Sequence, residues 1–228
     1  MTRKAIKKKK EGPVRVMVVD DHPLMRKGIR DIIESEAEFS VCCEADSANR
    51  AIRMIAREEP DIVIVDISLG GEASGIDLIR ALAARKIKTR ALVLSMHTDT
   101  FFVERAIRAG ARGYIAKSEA PRIIIEALRS VLRGGLYVSG SISGAFIDRL
   151  MNEQRWDTVL DIECLSNREL EILELIGRGF KSSEISKKLN ISVNTVECHR
   201  KNIRTKLKIE TSADLARNAI AWVHSMKK

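Results

Sequence analysis

Three aspartates and a lysine occupy positions in this chain where chemistry can be done. Asp20 and Asp21 close the apolar run Val14-Arg15-Val16-Met17-Val18-Val19, Asp66 closes Ile62-Val63-Ile64-Val65, and Lys117 follows Tyr114-Ile115-Ala116. Acidic residues at the carboxyl ends of separate apolar strands converge on one edge of a parallel sheet, which is where open α/β sheets bind ligands. Crowded carboxylates repel one another, and the proton affinity of at least one rises unless a cation joins them. Donors that are all oxygen, with room for water, suit Mg²⁺. A lysine beside such a cluster suits a phosphoryl group.

The elements that must carry these residues alternate between short apolar runs and helical patterns from Val14 to Gly135. The spacing predicts strands over Val14–Val19, Phe39–Ala45, Ile62–Asp66, Ala91–Ser95 and Gly113–Ala116. Helices are expected near 23–35, 47–58, 75–85, 99–109 and 120–133. Five βα units predict an α/β fold, a doubly wound five-stranded parallel sheet with helices on both faces. If that sheet takes the flavodoxin-like 2-1-3-4-5 order, the first and third strands flank the switch point, and the three aspartates end those two strands. Gly134-Gly135 closes the fifth helix, because glycine accepts the left-handed C-terminal geometry.

A second, all-α unit starts near Leu165. Ser166 with Glu169 three residues on is a capping box. Leu170, Ile172, Leu173, Leu175 and Ile176 supply an apolar stripe behind it. Ser182 or Ser183 opens a further helix, Ile191-Ser192 forms a turn, Ser192 caps a helix over about 193–207, and Thr211 or Ser212 caps a last one over about 212–225. Four short helices with a tight turn between the middle pair read as a helix-turn-helix. The domains expected are a disordered basic tail over 1–12, an α/β domain over 13–135, a linker over 136–163 with a helix in Ala145–Trp156, and the helical domain over 164–228.

Composition narrows the class. The 228 residues carry a net charge of +9, distributed as +5 over 1–11, +1 over 12–135, −3 over 136–163 and +6 over 164–228. A basic last domain favours a polyanion. No uncharged run approaches the ~20 apolar residues of a membrane helix, and the basic N-terminus lacks the apolar stretch of a secretory signal. A cytoplasmic protein without a membrane partner is expected. The four cysteines, Cys42, Cys43, Cys164 and Cys198, form no C-x-x-C pair. Cys42 and Cys43 should alternate faces of a strand, and reduced, inert thiols are expected.

Val18-Val19-Asp20-Asp21-His22-Pro23, Asp66, Ser95 and Lys117 together resemble the receiver domain of a two-component response regulator. Leu165-Ser166-Asn167-Arg168-Glu169, continuing to Lys206-Leu207, is similar to the LuxR-type helix-turn-helix, so that the chain resembles the NarL/FixJ type over about residues 14 to 224. That resemblance implies a DNA-binding transcription regulator rather than an enzyme. Asp66 would accept a phosphoryl group from a sensor histidine kinase, and Mg²⁺ would lie on Asp20, Asp21, Asp66 and the backbone carbonyl of Ser68. Lys117 would pair with a phosphoryl oxygen. Ser95 would swing towards the phosphoryl group as Tyr114 turns inward into the space it leaves. His22 and His97 are not assigned as ligands, since oxygen donors suffice for Mg²⁺. The chain departs from the family in its loop: Gly70 stands at a usual proline position, and the path from Asp66 to Gly75 is one residue longer than the usual spacing.

The helix over 193–207 carries Val196, Ile203 and Leu207 on one stripe and Glu197, Cys198, Arg200, Lys201 and Arg204 on the other. A helix with such a face fits the major groove. By resemblance Glu197, Cys198 and Lys201 approach base edges, Thr195, His199 and Lys206 contact the backbone, and Lys181 and Ser182 touch phosphate. Glu197 stands where the family commonly has lysine or another polar residue. The partners implied are promoter DNA, a second copy of the chain through the last helix with Trp222 as interface anchor or core residue, and RNA polymerase as a further candidate. Two rivals are an aspartate-based phosphohydrolase and a small-molecule-sensing LuxR-type regulator. Ser68, where the first would place a second acid, and the acidic cluster, which the second does not need, weigh against them.

Overall fold

The computed structural model describes residues 12–69, 73–151 and 162–226. The expectations for the basic tail up to Glu11, for Gly70-Gly71-Glu72 and for the linker helix beyond Met151 lie outside the described residues.

The first half builds one parallel sheet. Strands β1 (Val14–Val19), β2 (Phe39–Ala45), β3 (Ile62–Asp66), β4 (Arg90–Ser95) and β5 (Gly113–Ala116) alternate with α1 (Pro23–Glu34), α2 (Ala48–Glu58), α3 (Gly75–Ala84), α4 (Thr100–Ala109) and α5 (Ala120–Leu132). A sixth strand, β6 (Tyr137–Val138), extends the sheet in the order β2-β1-β3-β4-β5-β6. The sheet is therefore one strand wider than expected, and the addition falls in the segment read as linker. After Gly134, in the left-handed region with φ of 90°, the chain turns back and pairs Gly113 with Tyr137 and Tyr114 with Val138. Two residues of pairing leave too short a run to stand out in sequence.

The central strands are buried on both faces, which is why β3 reads as a continuous Ile-Val-Ile-Val run. Val16, Val18, Ile62, Ile64, Leu92, Leu94 and Ile115 pack under α1 and α5. Met17, Val19, Val63, Val65 and Val93 pack under α2, α3 and α4. Edge strand β2 departs from regular alternation: Val16 pairs with Val41 but Met17 pairs with Cys43. This β-bulge brings the Cys42 and Cys43 sulfurs to 3.6 Å, against the expectation that they alternate faces.

Helix α6 (Gly140–Met151) begins five residues before the linker helix was expected. A 3₁₀ turn over Ile162–Cys164 leads into α7 (Asn167–Gly177), α8 (Ser182–Leu189), α9 (Val193–Leu207) and α10 (Ser212–Met226). The capping box forms as read: Ser166 Oγ accepts from the Glu169 N–H at 3.2 Å, and Glu169 accepts from the Ser166 N–H at 2.7 Å. α8 opens at Ser182 as expected, with Lys181 at the position before it, where its backbone N–H donates to Glu184 at 2.7 Å. Asn190 ends α8 in the left-handed region that asparagine tolerates, and Ser192 caps α9 by accepting from the Thr195 N–H at 3.0 Å. These two residues fix the tight turn between α8 and α9.

Candidate functional site

β1, β3 and β5 end together, and Asp66 meets there the residues that directly follow the other two, Asp20 and Lys117. The Lys117 ammonium lies 2.8 Å from Asp20 Oδ2 and 2.6 Å from Asp66 Oδ2. Asp20 and Asp66 are buried, Asp21 is partly exposed at the mouth, and donor atoms of Asp20, Asp21, His22 and Asp66 all fall within 4.8 Å of one another. Two backbone donors orient the acids: the His22 N–H to Asp20 at 2.8 Å and the Ser68 N–H to Asp66 Oδ1 at 3.1 Å. Arg26 on α1 holds the Asp20 carbonyl at 2.6 Å. Gly75 opens α3 directly against Asp66, and a Cβ there would meet the Asp66 carbonyl oxygen at 1.9 Å. The next helix therefore closes on this strand end only because residue 75 has no side chain.

The electrostatics of the pocket follow from crowding. Burial raises the Asp66 pKa above its ordinary value; Lys117 pulls it down, and Asp20 adds to the rise. Burial opposes the charge on Lys117, but Asp66 and Asp20 outweigh it and hold the ammonium above its usual range. Lys117 thus stays charged and partly neutralises an acidic pair that is short of positive charge. A donor set of close carboxylate oxygens fits a hard divalent cation such as Mg²⁺. The His22 imidazole stands at the exposed rim of the same cluster, with Nδ1 2.7 Å from Asp21 Oδ1.

Ser95 and Tyr114 lie beside this pocket, both fully buried. Ser95 Oγ accepts from the His97 N–H at 3.0 Å, and the Tyr114 hydroxyl donates to the His97 carbonyl at 2.8 Å. Tyr114 is therefore already inward here, rather than waiting outside for Ser95 to move. Its buried phenol needs a partner and has found one in the β4–α4 loop.

Sequence reasoning missed where that loop leads. The His97 ring stacks on Phe102 with centroids 4.3 Å apart and lies between two acids of α7: Nδ1 is 3.3 Å from Glu174 and Nε2 3.6 Å from Glu171. Both glutamates are buried. Burial works against the imidazolium, yet the two acids outweigh it and push the His97 pKa up to about 10. Glu171 also accepts from Ser68 Oγ and pairs with Arg168 at 2.9 Å. Around this centre Asn167 donates to Ser74 Oγ at 2.6 Å, Arg105 donates to the Leu165 carbonyl, and Trp222 of α10 meets Phe101 of α4 edge-to-face at 5.8 Å. Trp222 is thus packed against the α/β domain. A sequence signal existed: the apolar residues of α7 spread over more than one face, so more than one side of the helix is covered.

Most of the residues expected to contact DNA are exposed. Thr195, Glu197, Cys198 and Lys201 are exposed along α9, and Lys181 is exposed at the start of α8. Ser182 Oγ donates to Glu197, which ties the starts of α8 and α9 together. His199 is half-buried, and burial followed by the nearby Arg168 charge lowers its pKa. The Lys206 ammonium is 2.7 Å from Glu169, the residue that completes the cap of α7.

Comparison with known proteins places both halves. A family model described as the response regulator receiver domain matches residues 16–129, and one described as bacterial regulatory proteins of the luxR family matches 163–219. The oxygen regulatory protein NreC of Staphylococcus haemolyticus is 30% identical over 210 residues, covering 91% of this chain and 97% of that protein. The Salmonella typhimurium RcsB response regulator has a similar structure, with a TM-score of 0.57 at 25% identity, covering 92% of this chain and 99% of that one. A structure of two RcsB dimers bound to two parallel DNAs matches with a TM-score of 0.58 at 26% identity, over 93% of this chain and 100% of that one.

Proposed function

The chain belongs to the response regulator receiver family, carries a LuxR-family unit behind the receiver and is a DNA-binding response regulator; from that premise we propose that Asp66 is its phosphoacceptor and that His97 passes the phosphorylation state to the DNA-binding half. The observation that carries the reading is the convergence of Asp20, Asp66 and Lys117 within 2.8 Å at the ends of three strands. In this reading residues 13–135 form the receiver, 136–163 the linker and 164–228 the DNA-binding domain, with 1–12 a basic tail. A sensor histidine kinase donates the phosphoryl group in the cytoplasm. The regulated activity is DNA binding as a dimer, as in the RcsB assembly, with RNA polymerase a candidate partner at the promoter.

Mg²⁺ held by Asp20, Asp21, Asp66 and the Ser68 carbonyl would neutralise phosphoryl oxygens when bound. The chain's own residues do the rest. Lys117 supplies a fixed cation at the Asp66 carboxylate. A phosphorylated Asp66 adds charge and acceptor oxygens, which draw the Ser95 hydroxyl towards them and away from the His97 N–H. The same added charge stands two residues from Ser68, whose hydroxyl donates to Glu171. The loop bearing His97 then loses one of its two backbone anchors while the acids that grip it are repelled. Docked and released packings pre-exist, and phosphorylation shifts their populations.

What the docked packing holds back is α10 rather than the groove-facing side of α9. Trp222 is buried against Phe101, whereas Glu197, Cys198 and Lys201 stay exposed. Release would free α10 for a second copy. The test treats wild type and Asp66→Asn with Mg²⁺ and a small phosphodonor, weighs the intact protein and maps the DNA each binds in cells. Wild type should gain one phosphoryl mass and phosphorylation-dependent binding sites, and Asp66→Asn should gain neither. Full retention of the added mass by Asp66→Asn would overturn the assignment.

A further inference from the structure

The bulge in β2 serves neither the phosphoryl pocket nor the contact between the two halves. It lies where the ladder slips between Val16 and Met17, so that Cys42 is an extra residue between Val41 and Cys43. Alternation along β2 is broken once. Val41 packs in the layer beneath α1, and Glu44 pairs with Arg26 and Arg30 of α1. Cys43 and Ala45 belong to the opposite layer, against α2. The extra residue puts Cys42 beside Cys43, with their sulfurs 3.6 Å apart. The Cys42 thiol also donates to the carbonyl of Val16, the residue at the slip, at 3.4 Å. Both thiols are free and only partly buried, and β2 is an edge of the sheet.

We propose that Cys42 and Cys43 form a two-thiol site for a thiophilic trivalent arsenical. Two sulfurs bound to one atom must lie at or inside van der Waals contact, and 3.6 Å meets that with little movement of the backbone. For an organoarsenic oxide the step is a condensation. Two As–S bonds form, the arsenic–oxygen bond breaks, and the two thiol protons leave with that oxygen as water. Arsenic keeps its oxidation state, so no oxidant is needed.

A direct disulfide suits the site less well. Adjacent Cα atoms sit about 3.8 Å apart across a trans peptide, below the usual disulfide span of about 4.4–6.8 Å. An inserted atom lengthens the bridge and relieves that misfit. Burial, then the neighbouring Cys42, push the Cys43 thiol up to about 12, so it is protonated at neutral pH and slow towards one-point alkylation. Two-point attachment is favoured because the second bond forms within the same molecule.

The probe is phenylarsine oxide, added to the reduced full-length protein and followed by an excess of 2-mercaptoethanol before intact-mass measurement. One phenylarsenic group should remain per chain, resist the monothiol and leave when 2,3-dimercaptopropanol is added. Proteolysis of the wild-type adduct should place it on the peptide containing both Cys42 and Cys43. Cys42→Ser and Cys43→Ser should each retain at least tenfold less, and the double variant Cys164→Ser/Cys198→Ser should retain as much as wild type. No adduct on wild type after the monothiol wash, or an adduct mapped to any other peptide, overturns the proposal. Mapping on wild type keeps that outcome independent of whether a serine variant folds.

Discussion

The acidic pocket at the strand ends and the seam between the two halves are both small, buried clusters of charge, yet they are built in opposite ways. In the pocket, acids at the ends of β1 and β3 surround one lysine at the end of β5, and each residue ends a strand or directly follows one. In the seam, two acids from one helix surround one histidine from a loop 74 and 77 positions away in sequence. The pocket has more carboxylate than cation, an arrangement that fits a divalent ion. The seam balances itself, with His97, Arg168 and Arg178 against Glu171, Glu174 and Asp99. A site short of positive charge is ready for a ligand, whereas a balanced one is ready to hold two surfaces together until extra charge arrives.

If the seam is the latch, breaking its balance should have the largest effect. Removing one partner of a buried pair leaves an uncompensated charge and costs roughly 3–5 kcal/mol. His97→Ala leaves Glu171 and Glu174 facing each other without the imidazolium. The expected outcome is a less compact protein by small-angle scattering and a rise of at least tenfold in dimeric DNA binding without any phosphodonor, with little further gain on phosphorylation. Glu171→Gln/Glu174→Gln should act in the same direction. Unchanged compactness and unchanged phosphorylation dependence in both variants would remove the seam from the mechanism.

The pocket should respond differently. Asp21→Ala removes a carboxylate from the cluster without breaking the Lys117 pairs, which are made by Asp20 and Asp66. Mg²⁺ affinity, measured by heat or a spectroscopic signal, should fall at least tenfold, or about 1.4 kcal/mol. Fold and compactness should stay as in wild type. Equal Mg²⁺ binding would show that the ion does not use this acid, and the comparison with the self-balanced seam would lose its basis.

The same contrast explains what the sequence disclosed. Asp20, Asp21, Asp66 and Lys117 were legible because a strand's end is marked by the end of its apolar run, and sheet topology brings such ends together whatever the loops do. Ser166–Glu169 and Ser192 were legible because caps are local. His97, Glu171 and Glu174 were not, because their partners are fixed by how two domains dock, and a glutamate pair at i, i+3 looks like any solvated helix face. Tyr114 was read with the correct neighbour, but the state of its ring depended on a carbonyl at His97 that no pattern marks. The Cys42 bulge was hidden for a related reason: a slip of register is a property of two strands together.

At the proposed DNA face, two lysines of α9 test whether ties to the rest of the molecule tune binding. Lys201 is exposed with no ion-pair partner among the described residues, while Lys206 is engaged by Glu169 at 2.7 Å. Lys201→Ala should cost about 1–3 kcal/mol if the ammonium reads a guanine, and it should relax preference at one position of each half-site. If it touches phosphate alone, binding weakens evenly across sequences and the salt slope falls by about one. Lys206 must share its ammonium between Glu169 and any phosphate, so Lys206→Ala should weaken DNA binding less than Lys201→Ala. It should also lower the unfolding free energy of the protein by under about 1 kcal/mol, because this partly exposed pair is screened. Affinities on a panel of sites at several salt concentrations, together with denaturant melts, separate the two lysines. A larger DNA defect at Lys206 than at Lys201 would mean that Lys206 leaves Glu169 on binding, making the cap of α7 part of the route between DNA and the seam.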